Sequence, residues 1–104
     1  GLEQKIEVRV GPALALLPQL SLLGPFDAVF LDADKQGYPD YARWAATNLR
    51  SGGLLLADNS YLFGQLLADT PAATAMRRFH EEVPEAFDST CVPTPDGLVV
   101  GIRR

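Results

Sequence analysis

The sequence predicts an α/β fold with a mainly parallel sheet and an antiparallel edge. Two apolar, β-favouring runs, Phe26 to Leu31 and Gly53 to Ala57, are continuous rather than alternating, as in parallel strands buried on both faces. Segments in which apolar residues recur at helical spacing separate these strands. Near the end of the chain an Asp-Gly pair lies between two further strand-like segments and favours a hairpin.

The first elements are short. Residues Ile6 to Val10, IEVRV, alternate apolar and charged side chains and are predicted to form a strand. Gly11 ends that strand, and Pro12 suits the first position of a short helix with the sequence ALALLPQL. The buried strand Phe26 to Leu31 follows.

Pro39 suits the first turn of a second helix, which Ser51-Gly52-Gly53 is expected to end. The residues that recur at helical spacing on it are Tyr41, Trp44, Ala45 and Leu49. The strand Gly53 to Ala57 comes next and leads into Asp58 and Asn59.

A third helix is expected to start at Asp69 or Thr70 with Pro71 and to stop at Pro84. Its apolar face is formed by Met76, Phe79 and Val83. The strands Phe87 to Val92 and Leu98 to Arg103 then flank the sequence PTPDG.

Composition limits the classes of function. The chain has 104 residues, 47% of them hydrophobic, and we treat residues 1–104 as one domain. Its formal net charge of −4 offers no basic surface for phosphates, so we expect no nucleic-acid partner. The longest uncharged run is interrupted by three prolines, so we expect no membrane span. Its one cysteine, Cys91, fits a reducing compartment, and we expect a cytoplasmic protein.

Acidic and amide side chains follow the ends of both buried strands. Asp32 and Asp34 follow the first, and Asp58 and Asn59 follow the second. In an open α/β sheet the carboxyl ends of the strands form the ligand crevice, so these groups are expected to meet there. Carboxylate and amide oxygens suit Mg²⁺, Ca²⁺ or Mn²⁺. Helix capping, a ribose contact or a phospho-accepting aspartate would give a similar pattern, and Lys35 fits either a counter-ion or a general base.

The strings FDAVFLDADKQGY and LRSGGLLLADN closely resemble the cation-dependent class of S-adenosylmethionine O-methyltransferases, the group that contains catechol and caffeoyl-coenzyme A O-methyltransferases. GPALALLPQL resembles that family's segment beside the adenine, and CVPTPDGLVVGIRR resembles its C-terminal hairpin. The resemblance implies the C-terminal part of a Rossmann-like class I methyltransferase sheet. In the family's strand order, 3-2-1-4-5-7-6, IEVRV would be strand three, and the first two strands would be missing.

The resemblance also implies roles for single residues. Asp32, Asp58 and Asn59 match ligands of a divalent cation, most of all Mg²⁺, with Ca²⁺ or Mn²⁺ as alternatives. Lys35 matches the lysine that deprotonates the acceptor hydroxyl. The positions that match contacts to the cofactor and methyl donor, S-adenosylmethionine, are Ala13 and Asp34. The candidate contacts to a small aromatic hydroxyl substrate are Asp32, Tyr61 and Phe63.

Tyr61 and Phe63 could equally be loop anchors, and His80 is expected to be a surface residue on a helix that lies away from the strand ends.

No glycine-rich turn of the kind that holds the methyl donor occurs in the chain, so residues 1–104 alone are expected to be inactive. The missing strands would leave FDAVFLD with an unpaired edge. We expect that edge to pair with another copy in a homodimer, to take up IEVRV, or to receive a separate N-terminal chain. The alternatives in function are a noncatalytic or dimerisation scaffold of the same fold and a receiver-type phosphotransfer domain.

Overall fold

The structure, a computed structural model, describes residues 1–104. Its four strands form one mixed sheet in the order β1-β2-β4-β3, in which β1 and β2 are parallel and β4 is antiparallel to both neighbours. The predicted α/β class with a C-terminal antiparallel hairpin is confirmed, and the order corresponds to the 4-5-7-6 part of the implied sheet. The strands are β1 Phe26–Leu31, β2 Leu49–Ala57, β3 Phe87–Val92 and β4 Leu98–Arg103.

Three α-helices accompany the sheet, and two of their predicted starts are confirmed. Pro39 lies in the first turn of α2, and the Thr70 side chain caps α3 by accepting from the Ala73 N–H at 3.1 Å. The N-cap bond satisfies a backbone donor that the helix itself leaves free. The helices are α1 Ala13–Leu20, α2 Tyr38–Asn48 and α3 Pro71–Ala86.

The hydrophobic core lies between one face of the sheet and the packed pair α2 and α3. Tyr38 and Phe79 are both fully buried and meet edge to face, with ring centroids 5.3 Å apart. The predicted apolar face of α3 is confirmed, because Met76, Phe79 and Val83 are all buried. Burial of these side chains is the main favourable contribution to the fold.

Three sequence predictions of secondary structure are wrong. IEVRV is not a strand, and Ile6, Val8 and Val10 are exposed, because its backbone groups have no neighbouring strand to pair with. Leu49 is the first residue of β2 rather than part of a helix, and it pairs with Phe26. Helix α3 continues past Pro84 to Ala86, and buried Val83 holds this last turn against the core.

The second face of the sheet is left partly open. Phe30, Leu56 and Val100 are in register across three strands on this face, and Phe30 is 62% exposed. The outer edge of β1 carries no partner strand, as predicted. IEVRV does not lie beside β1, so that expected rearrangement is wrong, while pairing with another copy and docking of an N-terminal chain stay predictions. None of the helices combines the length and apolar character that a bilayer span requires.

Candidate active site

The ends of β1 and β2 bring two aspartates to the same edge of the sheet. Leu31 pairs with Ala57 at the last position of the parallel ladder, and the Asp58 N–H donates to the Leu31 carbonyl at 3.0 Å. Asp32 and Asp58 therefore follow neighbouring strand tips, which lie about 4.8 Å apart in a sheet. The predicted meeting of the strand ends that carry these residues is present in the structure.

Tyr38 connects the two strand ends, a role that the sequence analysis missed. Its ring is fully buried, and its hydroxyl donates to the Asp58 carbonyl at 2.6 Å. Burial raises the pKa of Tyr38, and the negative charges of Asp32 and Asp58 add to this, although Lys35 opposes them. Both carboxylates therefore act on the same phenol.

Lys35 lies at the centre of this group of polar side chains. Its ammonium donates to Asp32 Oδ1 at 3.1 Å and to the Tyr38 hydroxyl at 3.2 Å. Burial by itself lowers the pKa of Lys35, but the hydrogen bonds and charges of Tyr38 and Asp32 outweigh it and raise the pKa above its ordinary value. Without a further cation, Lys35 is therefore an ammonium ion that neutralises Asp32, as in the counter-ion alternative.

Asp34 has a structural function beside this group. Its carboxylate accepts from the Gly37 N–H at 3.1 Å, which caps the 3₁₀ turn Lys35–Gly37, and it also accepts from the Tyr41 hydroxyl. Burial and the bond to Asp34 raise the pKa of Tyr41 to about 12. The helix-capping alternative therefore applies to Asp34, and its contact to the methyl donor stays a prediction.

Asn59 is held in a strained conformation by groups on both sides. Its backbone has φ of 59°, its N–H donates to Asp58 Oδ1 at 2.8 Å, and its Nδ2 donates to Asp96 Oδ2 at 2.6 Å. Asp96 belongs to the Asp-Gly turn, which the sequence analysis used only as a hairpin signal. Nothing in the local sequence indicates this contact, because it depends on β4 lying beside β2.

The two aromatic residues of the following loop differ in their surroundings. The Tyr61 ring packs against the backbone of Gly97, where a Cβ atom would come within 2.7 Å of it. The pKa of Tyr61 is raised by burial and by the neighbouring Cys91 thiol. Phe63 is 66% exposed. Tyr61 therefore anchors the loop, whereas the Phe63 ring is accessible to a ligand.

His80 also supports this loop. The prediction that it is a surface residue away from the strand ends is wrong, because it is half-buried and its Nε2 lies 2.6 Å from the Ser60 carbonyl. The Ser60 hydroxyl in turn donates to the Ala57 carbonyl at 2.7 Å. Helix α3 thus fixes the chain directly after Asn59.

Comparison with known proteins assigns the chain to a family. A family model described as O-methyltransferase matches residues 1–103. The chain belongs to the O-methyltransferase family. A catechol O-methyltransferase from Niastella koreensis is 41% identical to it over 116 residues, which cover 100% of this chain and 52% of that protein. A caffeoyl-CoA O-methyltransferase from Zinnia elegans is 37% identical over 115 residues, which cover 96% of this chain and 47% of that protein.

A solved structure supports the same assignment. The O-methyltransferase from Bacillus cereus in complex with SAH is 31% identical and aligns with a TM-score of 0.86, over 94% of this chain and 50% of that chain. This O-methyltransferase chain spans about half the length of the curated relatives it matches. The resemblance to the C-terminal half of the family is confirmed, and the alternative of a receiver domain is wrong because the chain belongs to a different family.

The O-methyltransferase chain has an apolar groove that leads to the strand tips. The groove has a volume of about 530 Å³ and lies along β1 between α1 and α2. Ala13 and Asp32 both line it, and Asp32 is its one lining residue that is not hydrophobic. Trp44, which also lines it, is tied to α1 by a bond from its indole N–H to the Leu17 carbonyl at 3.1 Å. A predicted donor contact, Ala13, and a predicted cation ligand, Asp32, thus border one continuous surface.

The candidate cation site of the O-methyltransferase consists of two carboxylates and one amide. No group of three or more His, Cys, Asp or Glu side chains comes together as a possible metal site in the chain. Asp32, Asp58 and Asn59 offer only oxygen donors, and hard cations prefer oxygen ligands. Because Asp96 accepts from Asn59 Nδ2, the amide oxygen of Asn59 is left free. The residues therefore fit a hard divalent cation by their donor chemistry.

Proposed function

We propose that the protein containing these residues transfers a methyl group from S-adenosylmethionine to a hydroxyl of a catechol-like or other small hydroxylated aromatic, and that it depends on a divalent cation. One observation carries the proposal: Asp32, Lys35 and Asp58 adjoin at neighbouring strand tips through the buried Tyr38 hydroxyl. Family membership and the name of the Niastella koreensis relative support the reaction class and the acceptor.

Asp32, Asp58 and Asn59 would hold the cation, with Mg²⁺ as the first candidate and Ca²⁺ or Mn²⁺ as alternatives. A bound divalent ion would orient and acidify vicinal hydroxyls and would neutralise the carboxylate charge that keeps Lys35 protonated.

Lys35 is the proposed general base. Its Nζ lies 3.1 Å from Asp32 Oδ1, so it borders the position of the acceptor hydroxyl if that hydroxyl is held beside Asp32. As the amine takes the hydroxyl proton, the acceptor oxygen forms a bond to the methyl carbon while the carbon–sulfur bond of the sulfonium breaks, which leaves S-adenosylhomocysteine. Holding both substrates in place contributes about 7 to 11 kcal/mol in well-oriented reactions.

Ala13 and Asp34 are the proposed donor contacts, and Asp32, Tyr61 and Phe63 the proposed acceptor contacts. The apolar groove beside Ala13 suits a flat adenine ring. The exposed Phe63 suits stacking on an aromatic acceptor, whereas Tyr61 contributes by holding the loop.

A chimera tests the proposal. Residues 1–104 are joined to the N-terminal half of the Niastella koreensis catechol O-methyltransferase, and methyl transfer to catechol is measured with Mg²⁺ or with EDTA. We expect Mg²⁺-dependent turnover that Asp58→Ala lowers by at least about 100-fold, since loss of even an outer-sphere partner costs 10- to 100-fold. Asp69→Ala is the matched control, because Asp69 is an exposed loop aspartate and its loss changes the charge equally.

Equal turnover of Asp58→Ala and Asp69→Ala would refute the cation mechanism, and a folded chimera without methyl transfer would refute the proposed reaction. The isolated chain is examined separately by calorimetric titration with S-adenosylmethionine and Mg²⁺. We expect heat of donor binding only when the N-terminal half is supplied, and donor binding by residues 1–104 alone would contradict the expected inactivity.

Self-association is a second proposal, and it would also serve a noncatalytic scaffold. The free edge of β1 and the 62% exposed Phe30 beside it favour contact between two copies. Sedimentation velocity should give a mass that rises with concentration for the parent chain and a lower mass for Phe30→Lys. A monomer at all concentrations would refute the homodimer.

A further inference from the structure

The hairpin turn between β3 and β4 covers the loop that follows β2. Asp96 Oδ2 accepts from Asn59 Nδ2 at 2.6 Å, and Asp96 Oδ1 accepts from the Phe63 N–H at 2.8 Å. The Asp96 carbonyl accepts from the Tyr61 N–H at 2.9 Å, and the Gly97 carbonyl accepts from the Ser60 N–H at 3.0 Å. One aspartate therefore bonds to three positions of a loop outside its own hairpin.

The loop needs such support because its backbone is strained. Asn59, Leu62 and Phe63 all have positive φ, between 53° and 59°, although none of them is glycine. Side chains with a Cβ atom rarely adopt this region unless the surroundings fix them there. The Asp96 carboxylate holds the first and the last of these three residues.

The same contact determines which end of the Asn59 amide is free. An ionised carboxylate only accepts hydrogen bonds, so Asp96 must face the NH₂ group of Asn59. The amide oxygen then points away from Asp96, and it is the only atom of this side chain that can ligate a cation. Each oxygen of Asp96 accepts one N–H from this loop, so the carboxylate is held in place to orient Asn59.

We propose that Asp96 is a positioning residue that sets the amide oxygen of Asn59 as a ligand for the divalent cation. The inference rests on the proposed function, because it gives a role to the cation site of that proposal. Asp96 acts through Asn59 and does not itself touch substrate or cation.

Mn²⁺ titration of the ¹⁵N-labelled chain tests the inference without requiring turnover, because bound Mn²⁺ broadens the NMR signals of nearby backbone amides. In the parent chain we expect the amides of Asp32 and Asp58 to broaden first. Asp96→Asn keeps the shape of the side chain but offers one acceptor to two N–H donors, and it should raise the Mn²⁺ concentration needed by about 10-fold or more. Asp88→Asn is the matched control, because Asp88 lies at the far end of the hairpin in an exposed pair with Arg104.

A double-substitution cycle separates orientation from simple support of the loop. Asn59→Asp presents oxygen at both ends of the side chain, so its ligating atom no longer depends on which way the group faces. We expect Asp96→Asn to weaken Mn²⁺ binding when residue 59 is Asn and to leave it equal or stronger in the Asn59→Asp background. Support of the loop through the bond from the Phe63 N–H to Asp96, which Asn59→Asp leaves in place, predicts the same loss in both backgrounds.

The outcomes distinguish the two proposals. The inference is overturned if the parent chain shows selective broadening but Asp96→Asn binds Mn²⁺ as tightly as the parent, or if it loses affinity for Mn²⁺ equally in both backgrounds. Either result leaves the proposed cation site standing. No selective broadening at Asp32 and Asp58 in the parent chain overturns the cation site and the inference together. If the Asp96→Asn variant does not give the dispersed NMR spectrum of a folded chain, Asp96→Glu is used in its place. The longer side chain displaces the carboxylate by one methylene, so the same difference between the parent background and the Asn59→Asp background is expected.

Discussion

The hydroxyl of Tyr38 is predicted to stabilise the fold and the site through its hydrogen bonds at the strand ends. Tyr38→Phe removes only the oxygen that donates to the Asp58 carbonyl at 2.6 Å, in a ring that is fully buried. The substitution leaves that part-buried carbonyl without its side-chain donor and takes one acceptor from Lys35, and losing one partner of such a bond costs about 1 to 3 kcal/mol. We therefore expect the free energy of unfolding to fall by about 2 kcal/mol.

The expected change in melting temperature follows from the size of the chain. With about 2.1 cal/mol/K of unfolding entropy per residue and 104 residues, a loss of about 2 kcal/mol lowers Tm by about 9 °C. Urea denaturation followed by circular dichroism measures the free energy, and the m value should not change. Tyr61→Phe is the control, because Tyr61 is half-buried and its hydroxyl neighbours the Cys91 thiol rather than a strand-end carbonyl, and it should cost less than about 0.5 kcal/mol.

A second measurement on Tyr38→Phe follows Lys35. The hydrogen bond from Lys35 to Tyr38 is one of the contacts that raise the pKa of Lys35, so this pKa should be lower in the variant. NMR titration of the Lys35 side chain measures the change. A free energy of unfolding within about 0.5 kcal/mol of the parent, or a loss no larger than that of Tyr61→Phe, would refute the reasoning.

Two further predictions concern the pH dependence and the turn. Tyr41 has a pKa of about 12 in the folded chain against an ordinary 10.0, so folding favours its neutral form. The free energy of unfolding should therefore fall as pH rises from 10 to 12, and it should fall less steeply in Tyr41→Phe. Urea denaturation at several pH values measures this, and an equal fall with pH in the parent and the variant would contradict it. Gly97→Ala, where φ is +77° and a Cβ would come within 2.7 Å of the Tyr61 ring, should destabilise the chain by about 1 to 3 kcal/mol. Gly64→Ala is its control, with φ of +80° but open space, and an equal loss would show that the contact with Tyr61 adds nothing.

The sequence predicted the elements that depend on continuous patterns. The apolar runs of β1 and β2 have the composition of buried parallel strands, and the Asp-Gly turn sets the β3–β4 hairpin. Once the strands are parallel neighbours, Asp32 and Asp58 must follow adjoining tips. Their proximity is therefore a consequence of local patterns together with one rule of sheet geometry.

The boundary between α2 and β2 and the conformation of IEVRV could not be predicted in this way. Leu49 fits the helical spacing of α2, but pairing with Phe26 draws it into β2. IEVRV has the alternation of a strand, yet a strand is stable only beside a partner, and no other strand of the chain pairs with it. In both cases the deciding contact lies outside the segment.

The polar contacts of the site are of two kinds, hydrogen bonds that hold its backbone and side chains in place and one exposed ion pair. Local sequence patterns could not distinguish them. Tyr38 bonds a backbone carbonyl from a fully buried position, and Asp96 holds Asn59 at 2.6 Å. Asp32, by contrast, is 55% exposed in its ion pair with Lys35, and such pairs contribute only about 0 to 1 kcal/mol. In the proposed mechanism, a cation beside Asp32 would break this ion pair and leave the bonds from Tyr38 to the Asp58 carbonyl and from Asn59 to Asp96 in place. In that mechanism Lys35, no longer held as an ammonium ion by Asp32, would lose its proton more readily and could then act as the proposed base.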